Sequence, residues 1–170
     1  VHLAGARLFN AAAACDEPAS AFAEPVDTVM CCLSKGLGAP VGSVLAGPEA
    51  FIEEARRVRK LLGGGMRQAG MLAAPGLEAL ENRERLAEDH RRAARLAESL
   101  DRVDGLAADE PETNIVLVET DRPAEAFLED CEAEGLLGGA FDDHLVRFCT
   151  HWDVDDADIE GAVAAAERSV

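Results

Sequence analysis

The sequence predicts an α/β fold built in two parts. Short apolar runs of strand length alternate along the chain with longer stretches of helical periodicity. Helical patterning covers about residues 66–100, and after Gly105 the order strand, helix, strand, helix begins again. Strands and helices that alternate in this way favour α/β packing. The break between the two parts is expected within the long helical stretch, near residues 80–100.

In the first part, residues 1–4 predict a strand and residues 6–14 a helix, with a loop over 15–25. The apolar run 28–33 predicts a strand, and a Gly/Pro loop at 34–42 separates it from a second strand at 42–46. A helix is expected to start at Pro48, because acids fill its first turns and cations its last turns before Gly63. The next helical stretch should be interrupted near Pro75–Gly76.

In the second part, apolar residues between Leu80 and Leu100 recur on one helical face. Residues 114–118 and 145–149 predict strands, and residues 122–134 predict a helix closed by Gly135. A last helix is expected over 155–168, with Asp155 as its N-cap.

The charge of the chain excludes two classes of partner. Asp and Glu number 33 against 16 Lys and Arg, for a formal net charge of −17. Such a chain lacks the basic patch that nucleic acid or anionic lipid requires. Acids in excess, with arginine preferred over lysine, resemble the composition of halophile proteins, since high salt screens the repulsion among so many acids.

The cysteines and apolar runs bear on location. Five cysteines, at positions 15, 31, 32, 131 and 149, show no metal-ligand spacing, so we expect reduced structural thiols, no metal site and a cytoplasmic setting. No apolar run reaches the length of a membrane span, and the start is not a signal peptide. The chain opens directly on strand-like VHLA without an initiator Met, which is typical of a cut through a domain.

The segment that points to chemistry is Ser34–Gly42. Lys35, one of only two lysines, follows an apolar strand and opens a glycine-rich turn. In a semi-apolar site at a strand end an amine is readily held neutral, and a neutral amine can attack a carbonyl to form a Schiff base. The glycines would let the backbone approach a flat cofactor. A surface loop with one lysine is the alternative interpretation of this segment alone.

Five motifs in order resemble the L-threonine aldolase family. The stretch His2–Asn10 resembles the family's H-x-D-G-A-R segment, and Cys32–Ser43 resembles its lysine loop. The next motif is matched by Arg56–Lys60 together with Gly63–Gly70, and the small-domain motifs by Thr113–Val116 and Arg147–Val154. The resemblance covers essentially the whole chain.

The resemblance implies a fold and a cofactor. It implies the C-terminal part of a fold-type I pyridoxal 5'-phosphate enzyme. Residues 1–85 would belong to the large cofactor-binding domain, with its mostly parallel seven-stranded sheet, and residues 86–170 would form a small C-terminal α/β domain. The activity implied is cleavage of L-threonine or related β-hydroxy-α-amino acids to glycine and an aldehyde. The full-length family implies a homodimer or homotetramer.

The resemblance also assigns roles to individual residues. Lys35 would bind the cofactor covalently, and Arg7 would lie beside its phenolic oxygen. Lys60 and Arg67 would lie near its phosphate, reaching across a dimer interface. Arg147 would hold the substrate carboxylate, a task suited to the bidentate arginine fork. His2 and His151 fall in the motifs with structural roles, and His90 is expected to be solvated.

Two departures from the family pattern leave alternatives open. Ala4 stands where the family has the aspartate that keeps the pyridine nitrogen protonated. The upstream half of the large domain, with its phosphate-binding turn, is expected to be missing. The chain is therefore interpreted as part of a threonine aldolase, as an inactive remnant of that family, or as another enzyme of the fold, such as a β-eliminating lyase or an aminotransferase. The run GGGMRQAG favours the aldolase over the last of these.

Overall fold

The computed structural model describes residues 1–170, which divide into two compact units, Val1–Leu86 and Ala87–Val170. The first unit holds strands β1 (His2–Ala4), β2 (Thr28–Cys32) and β3 (Ser43–Ala46), and helices α1 (Leu8–Cys15), α2 (Ala19–Ala23), α3 (Glu49–Leu61) and α4 (Gly70–Glu81). A 3-10 turn at Asn82–Arg85 leads into α5 (Leu86–Leu100). The second unit continues with β4 (Leu106–Ala108), β5 (Ile115–Thr120), α6 (Ala124–Ala133), β6 (Gly139–Asp142), β7 (Leu145–Cys149) and α7 (Asp156–Ser169).

The sheet of the first unit has the order β1-β2-β3. β1 pairs in parallel with β2, with Ala4 opposite Met30, whereas β3 pairs antiparallel with β2. Because parallel strands end at the same edge of a sheet, the segments that follow β1 and β2 emerge side by side. The backbone amide of Cys32 donates to the carbonyl of Ala6 at 3.3 Å, which joins the two segments.

The core of the first unit lies largely beneath the loop that follows β2. Its buried residues are Leu33, Leu37, Ala39, Ala79 and Leu86, with Phe9 and Leu80 packed against them. Three of these five belong to the 33–42 loop, so that loop is an anchored part of the unit.

The second unit is a four-stranded antiparallel sheet in the order β4-β5-β7-β6. Burial alternates along β5 and β7, so that Val116, Val118, Val146 and Phe148 point into the core. Residues of α5, α6 and α7 complete this core, among them Leu100, Phe127 and Ile159. The residue between Val146 and Phe148, Arg147, therefore lies on the opposite, exposed face.

The α/β class and most of the predicted elements are confirmed. The N-cap prediction for Asp155 is also correct, since its carboxylate accepts from the amides of Ala157 and Asp158 in a capping box. No helix is long and apolar enough to cross a membrane.

Two expectations about elements were wrong, and two strands were not predicted. The predicted 15–25 loop contains α2, and the unpredicted strands are β4 and β6. The helical stretch is not interrupted at Pro75, which lies inside α4, but at residues 82–85. Proline removes the hydrogen bond to the carbonyl four residues earlier. That carbonyl belongs to Met71, in the first turn of α4, and Met71 is exposed, so water can satisfy it.

Candidate active site

Arg7 and Lys35 are carried by the two segments that leave the same edge of the first sheet. Arg7 lies at the start of α1, three residues after β1 ends, and Lys35 lies three residues after the end of β2. Ligands commonly bind outside the carboxyl ends of parallel strands, where loops from neighbouring strands converge. The fold thus brings together two of the five predicted site residues.

The loop that carries Lys35 is closed by its own backbone. The amide of Leu33 donates to the carbonyl of Gly42 at 2.9 Å, and the amide of Ala39 donates to Leu33 at 2.9 Å. The carbonyl of Lys35 itself accepts from Gly38 at 2.9 Å. Since Leu33, Leu37 and Ala39 are buried, the loop is anchored to the core of the unit, while Ser34 and Lys35 are exposed.

The surroundings of Lys35 differ from the expectation. The side chain is exposed, not held in semi-apolar surroundings. The physical reason is that Leu33, Leu37 and Ala39 turn into the core of the unit, while Ser34, next to Lys35, is exposed as well. The amine is therefore accessible on a fixed backbone.

Arg7 has a feature that points to a missing acceptor. Its side chain is half-buried, and its Nε is buried without a hydrogen-bond partner in the chain. Buried donors in folded proteins are nearly always paired, so an orphan of this kind calls for an explanation. An acceptor brought by a ligand would satisfy it.

Ala4 is exposed at the last position of β1. An aspartate at this position would be exposed, so its carboxylate could reach a ligand at this sheet edge without the cost of burial. The alanine itself offers neither charge nor hydrogen bond to a ligand at this edge.

Lys60 and Arg67 flank the three glycines after α3. The helix ends in a Schellman motif, in which Gly64 donates to Arg59 at 2.8 Å and Gly63, at φ 85°, donates to Lys60 at 3.2 Å. Lys60 therefore occupies the last turn of α3, and Arg67 lies in the turn before α4. Both side chains are exposed, and neither is bonded to the lysine loop.

Arg147 belongs to the second unit. It pairs in register with Leu117 of β5 and Gly139 of β6, and its side chain is exposed. The sheet thus holds its backbone from both sides and leaves the guanidinium accessible.

The predicted site cations share one electrostatic property. At least seven of the eleven other arginines form ion pairs with carboxylates, among them Arg57, Arg91, Arg92, Arg95, Arg102, Arg122 and Arg168. None of the five predicted site cations forms an ion pair in this chain, although acids outnumber bases two to one. Their positive charges thus remain available to an anionic ligand.

The histidines have structural surroundings. His2 Nδ1 lies 2.8 Å from the Thr28 hydroxyl across the β1–β2 pair, and His151 Nδ1 accepts from the amide of Asp153 at 3.3 Å. The expectation that His90 is solvated was wrong. It is half-buried on α5, and burial lowers its pKa from the ordinary value, against a smaller opposing effect of Asp89.

Several buried polar residues in the quoted motifs were not predicted from the sequence. In the second unit, Asn114 Nδ2 donates to the carbonyl of Thr150 at 2.7 Å, and the Thr150 hydroxyl donates to the carbonyl of Asp89 at 2.6 Å. In the first unit, Asn10 of α1 is 3% exposed. Asn10, Asn114 and Thr150 all lie within the motifs quoted above, where a short polar residue among apolar ones was the available signal.

Comparison with solved structures identifies the fold. A candidate aromatic amino acid beta-eliminating lyase/threonine aldolase from Exiguobacterium superposes with a TM-score of 0.82 at 24% identity, over 99% of this chain and 52% of that one. A candidate L-allo-threonine aldolase from Listeria monocytogenes gives 0.81 at 21% identity, with the same coverage of both chains. The fold is therefore that of the fold-type I pyridoxal-phosphate enzymes.

Sequence comparison gives the family. Residues 1–123 match the beta-eliminating lyase family, and the chain belongs to it. It is 38% identical to low-specificity L-threonine aldolase 1 of Arabidopsis thaliana, over 100% of this chain and 49% of the relative. It is 44% identical to the low specificity L-threonine aldolase of Escherichia coli O157:H7, over 91% of this chain and 46% of the relative. The chain spans about half the length of these curated relatives.

The cofactor of the family, pyridoxal phosphate, fits this site in two respects and lacks support in a third. An accessible lysine on an anchored loop and a buried Arg7 Nε without an acceptor suit an aldehyde that also carries a phenolic oxygen. Ala4 gives no partner to a ring nitrogen. The residues present can hold the group, with weaker control over the charge on its ring.

Proposed function

We propose that this chain provides Lys35, Arg7 and Arg147 to a pyridoxal-phosphate-dependent aldehyde-lyase of the threonine aldolase type. The reaction would cleave L-threonine or a related β-hydroxy-α-amino acid to glycine and an aldehyde. The observation that carries the proposal is the emergence of Arg7 and Lys35 at one sheet edge, in a chain similar to low-specificity threonine aldolases.

Each residue has a distinct task in the proposal. Lys35 would hold the cofactor through its side-chain amine. Arg7 would face the phenolic oxygen of the cofactor, and Lys60 and Arg67 would compensate the charge of its phosphate. Arg147 orients the substrate by binding its carboxylate with two parallel hydrogen bonds. When bound, the cofactor supplies a ring that stabilises the negative charge left on Cα.

The division into units supports a domain assignment. We propose that residues 1–85 belong to the large cofactor-binding domain and residues 86–170 to the small domain, with compact units of Val1–Leu86 and Ala87–Val170 in support.

Two alternatives remain open, and a product assay distinguishes them. An inactive remnant would release no product, which Ala4 favours. A β-eliminating lyase, which the family name favours, would release ammonia and a 2-oxo acid from an amino acid with a β leaving group. The relatives named as threonine aldolases support cleavage of the Cα–Cβ bond instead.

The test is a product assay with L-threonine and added pyridoxal phosphate. The proposal expects glycine and acetaldehyde in equal amounts, and their loss in Lys35→Ala. Arg147→Lys should raise KM for threonine more than it lowers kcat, because lysine cannot form the bidentate contact. Ammonia and a 2-oxo acid from serine or cysteine, without glycine from threonine, would favour the β-eliminating alternative. Absence of every product would favour the remnant.

We propose the cellular compartment of the protein from its composition. Five free cysteines fit a reducing, cytoplasmic setting, and the net charge of −17 fits a high-salt interior. In that case the unfolding temperature should rise steeply with salt. A homodimer or homotetramer is proposed from the resemblance, and sedimentation velocity with cofactor present would test it.

A further inference from the structure

Asn10 is a buried polar residue that the proposed roles do not use. It is 3% exposed, and only Thr28 is a comparably buried polar residue in the first unit. An amide in such a place usually persists because its contacts are needed, since a buried polar group is costly unless it is satisfied. Asn10 lies three residues after Arg7, and its backbone N–H donates to the carbonyl of Arg7 at 3.0 Å.

The side chain of Asn10 reaches the lysine loop. A Cβ built on Gly36 would lie 3.0 Å from Asn10 Oδ1, 3.2 Å from its Nδ2 and 2.9 Å from Leu86 Cδ2. The Asn10 amide therefore lies directly against the backbone of the residue that follows Lys35. Gly36 is buried and Leu86 is 0% exposed, so neither residue can move away from the Asn10 side chain without disturbing the core.

One short segment thus sets two parts of the site at once. The first turn of α1 carries Arg7 and, through Asn10, contacts the loop that carries Lys35. Lys35 is itself exposed, so no packing of its own side chain holds its position. Its amine is directed by the backbone at 34–36, which Asn10 and Leu86 support.

We propose that Asn10, together with Gly36, is a positioning residue for Lys35. Given the function proposed above, on which this inference rests, the contact between Asn10 and Gly36 holds the Lys35 amine at the right distance from Arg7. Pyridoxal phosphate bound at Arg7 would then present its aldehyde carbon to that amine. In the condensation the lysine nitrogen forms a C=N bond with this carbon, and the carbonyl oxygen leaves as water.

The chain provides its own internal reference for a test. Lys35 and Lys60 are its only lysines, and both are exposed. After incubation with pyridoxal phosphate, borohydride adds hydride to the C=N bond and leaves a stable phosphopyridoxyl amine. Peptide mass spectrometry then gives the ratio of label on Lys35 to label on Lys60. A parallel reaction with acetic anhydride reports accessibility alone.

The variants are Asn10→Ala and Gly36→Ala, which disturb the contact from opposite sides. Leu8→Ala is the matched control, because Leu8 is a buried residue of the same helix outside this contact. The proposal expects both contact variants to lower the Lys35:Lys60 phosphopyridoxyl ratio by on the order of tenfold to a hundredfold, as small displacements of a reacting group do. Their acetylation ratio should stay unchanged. Leu8→Ala should keep both ratios despite a lower melting temperature.

Each other outcome overturns a defined statement. If the unmodified chain prefers Lys35 and both contact variants keep that preference, the positioning role is wrong while the proposed function stands. An equal fall of the phosphopyridoxyl ratio in Leu8→Ala would show that Asn10 acts only by stabilising the fold in general. If the unmodified chain shows no preference for Lys35, the proposed cofactor site fails, and the positioning role fails with it.

Discussion

Replacement of Thr150 by Val should destabilise the second unit by about 1–2 kcal/mol. The two side chains have nearly the same shape, so the change removes one hydroxyl from a site that is 1% exposed. The lost bond is the 2.6 Å contact to the carbonyl of Asp89. A buried group left without its partner costs about 1–3 kcal/mol. The upper part of this range is not expected, because that carbonyl also accepts from an amide of its own helix.

The assay is urea unfolding followed by the fluorescence of Trp152, the only tryptophan, which lies two residues from Thr150. With a slope of about 1–3 kcal/mol per molar urea, a loss of about 1–2 kcal/mol lowers the midpoint by about 0.3–2 M. The exposed substitution Glu119→Gln on the same sheet is the control and should leave the midpoint in place. Asn114→Ala should lower the midpoint at least as far, and the double variant should show less than the summed loss, since the two residues share one network. An unchanged midpoint in Thr150→Val would refute the structural role given to this motif residue.

Three further outcomes are expected. Ala4→Asp should raise threonine cleavage about tenfold to a hundredfold, since a charge-assisted hydrogen bond is worth about 1.5–3 kcal/mol; an unchanged rate would show that Ala4 is not the deficit. Burial lowers the pKa of His90, so the stability due to neutral His90 is complete above about pH 6.5 and falls as pH drops toward its folded pKa. His90→Gln should flatten that part of a stability–pH curve measured in urea. Hydrogen bonds from Arg91 and then Arg92 lower the pKa of Asp156, so its contribution is present above about pH 3.9 and is lost below it. Asp156→Asn should therefore lose less stability than the parent chain during acid titration. Equal losses would contradict a stabilising interaction of Asp156 with Arg91 and Arg92.

The periodic elements were accessible from sequence because their signals are local. The apolar run before Lys35 predicts a strand from a few consecutive residues. The acids in the first turns of α3 and the cations in its last turns predict that helix in the same way. Strands β4 and β6 gave no such signal. They are three and four residues long, and β6 is an edge strand with mostly exposed residues, so its structure comes from pairing with β7.

The candidate site was accessible only in part. Motif order pointed to Arg7, Lys35 and Arg147, but spacing along the chain gives no measure of burial. The exposure of Lys35 arises from how the 33–42 loop turns its leucines into the core, and the burial of Arg7 Nε without a partner is visible only in the folded chain. Asn10 is the clearest case, because its contact with Gly36 joins residues 26 positions apart that no periodicity relates.

The most direct test of the account is where pyridoxal phosphate becomes attached in the unmodified chain. Both lysines are exposed, so accessibility alone predicts comparable labelling after borohydride reduction. The account predicts phosphopyridoxyl label on the Lys35 peptide in clear excess over Lys60, with the excess abolished when Arg7 is replaced by alanine. Equal labelling of the two lysines, or an excess that survives Arg7→Ala, would contradict it.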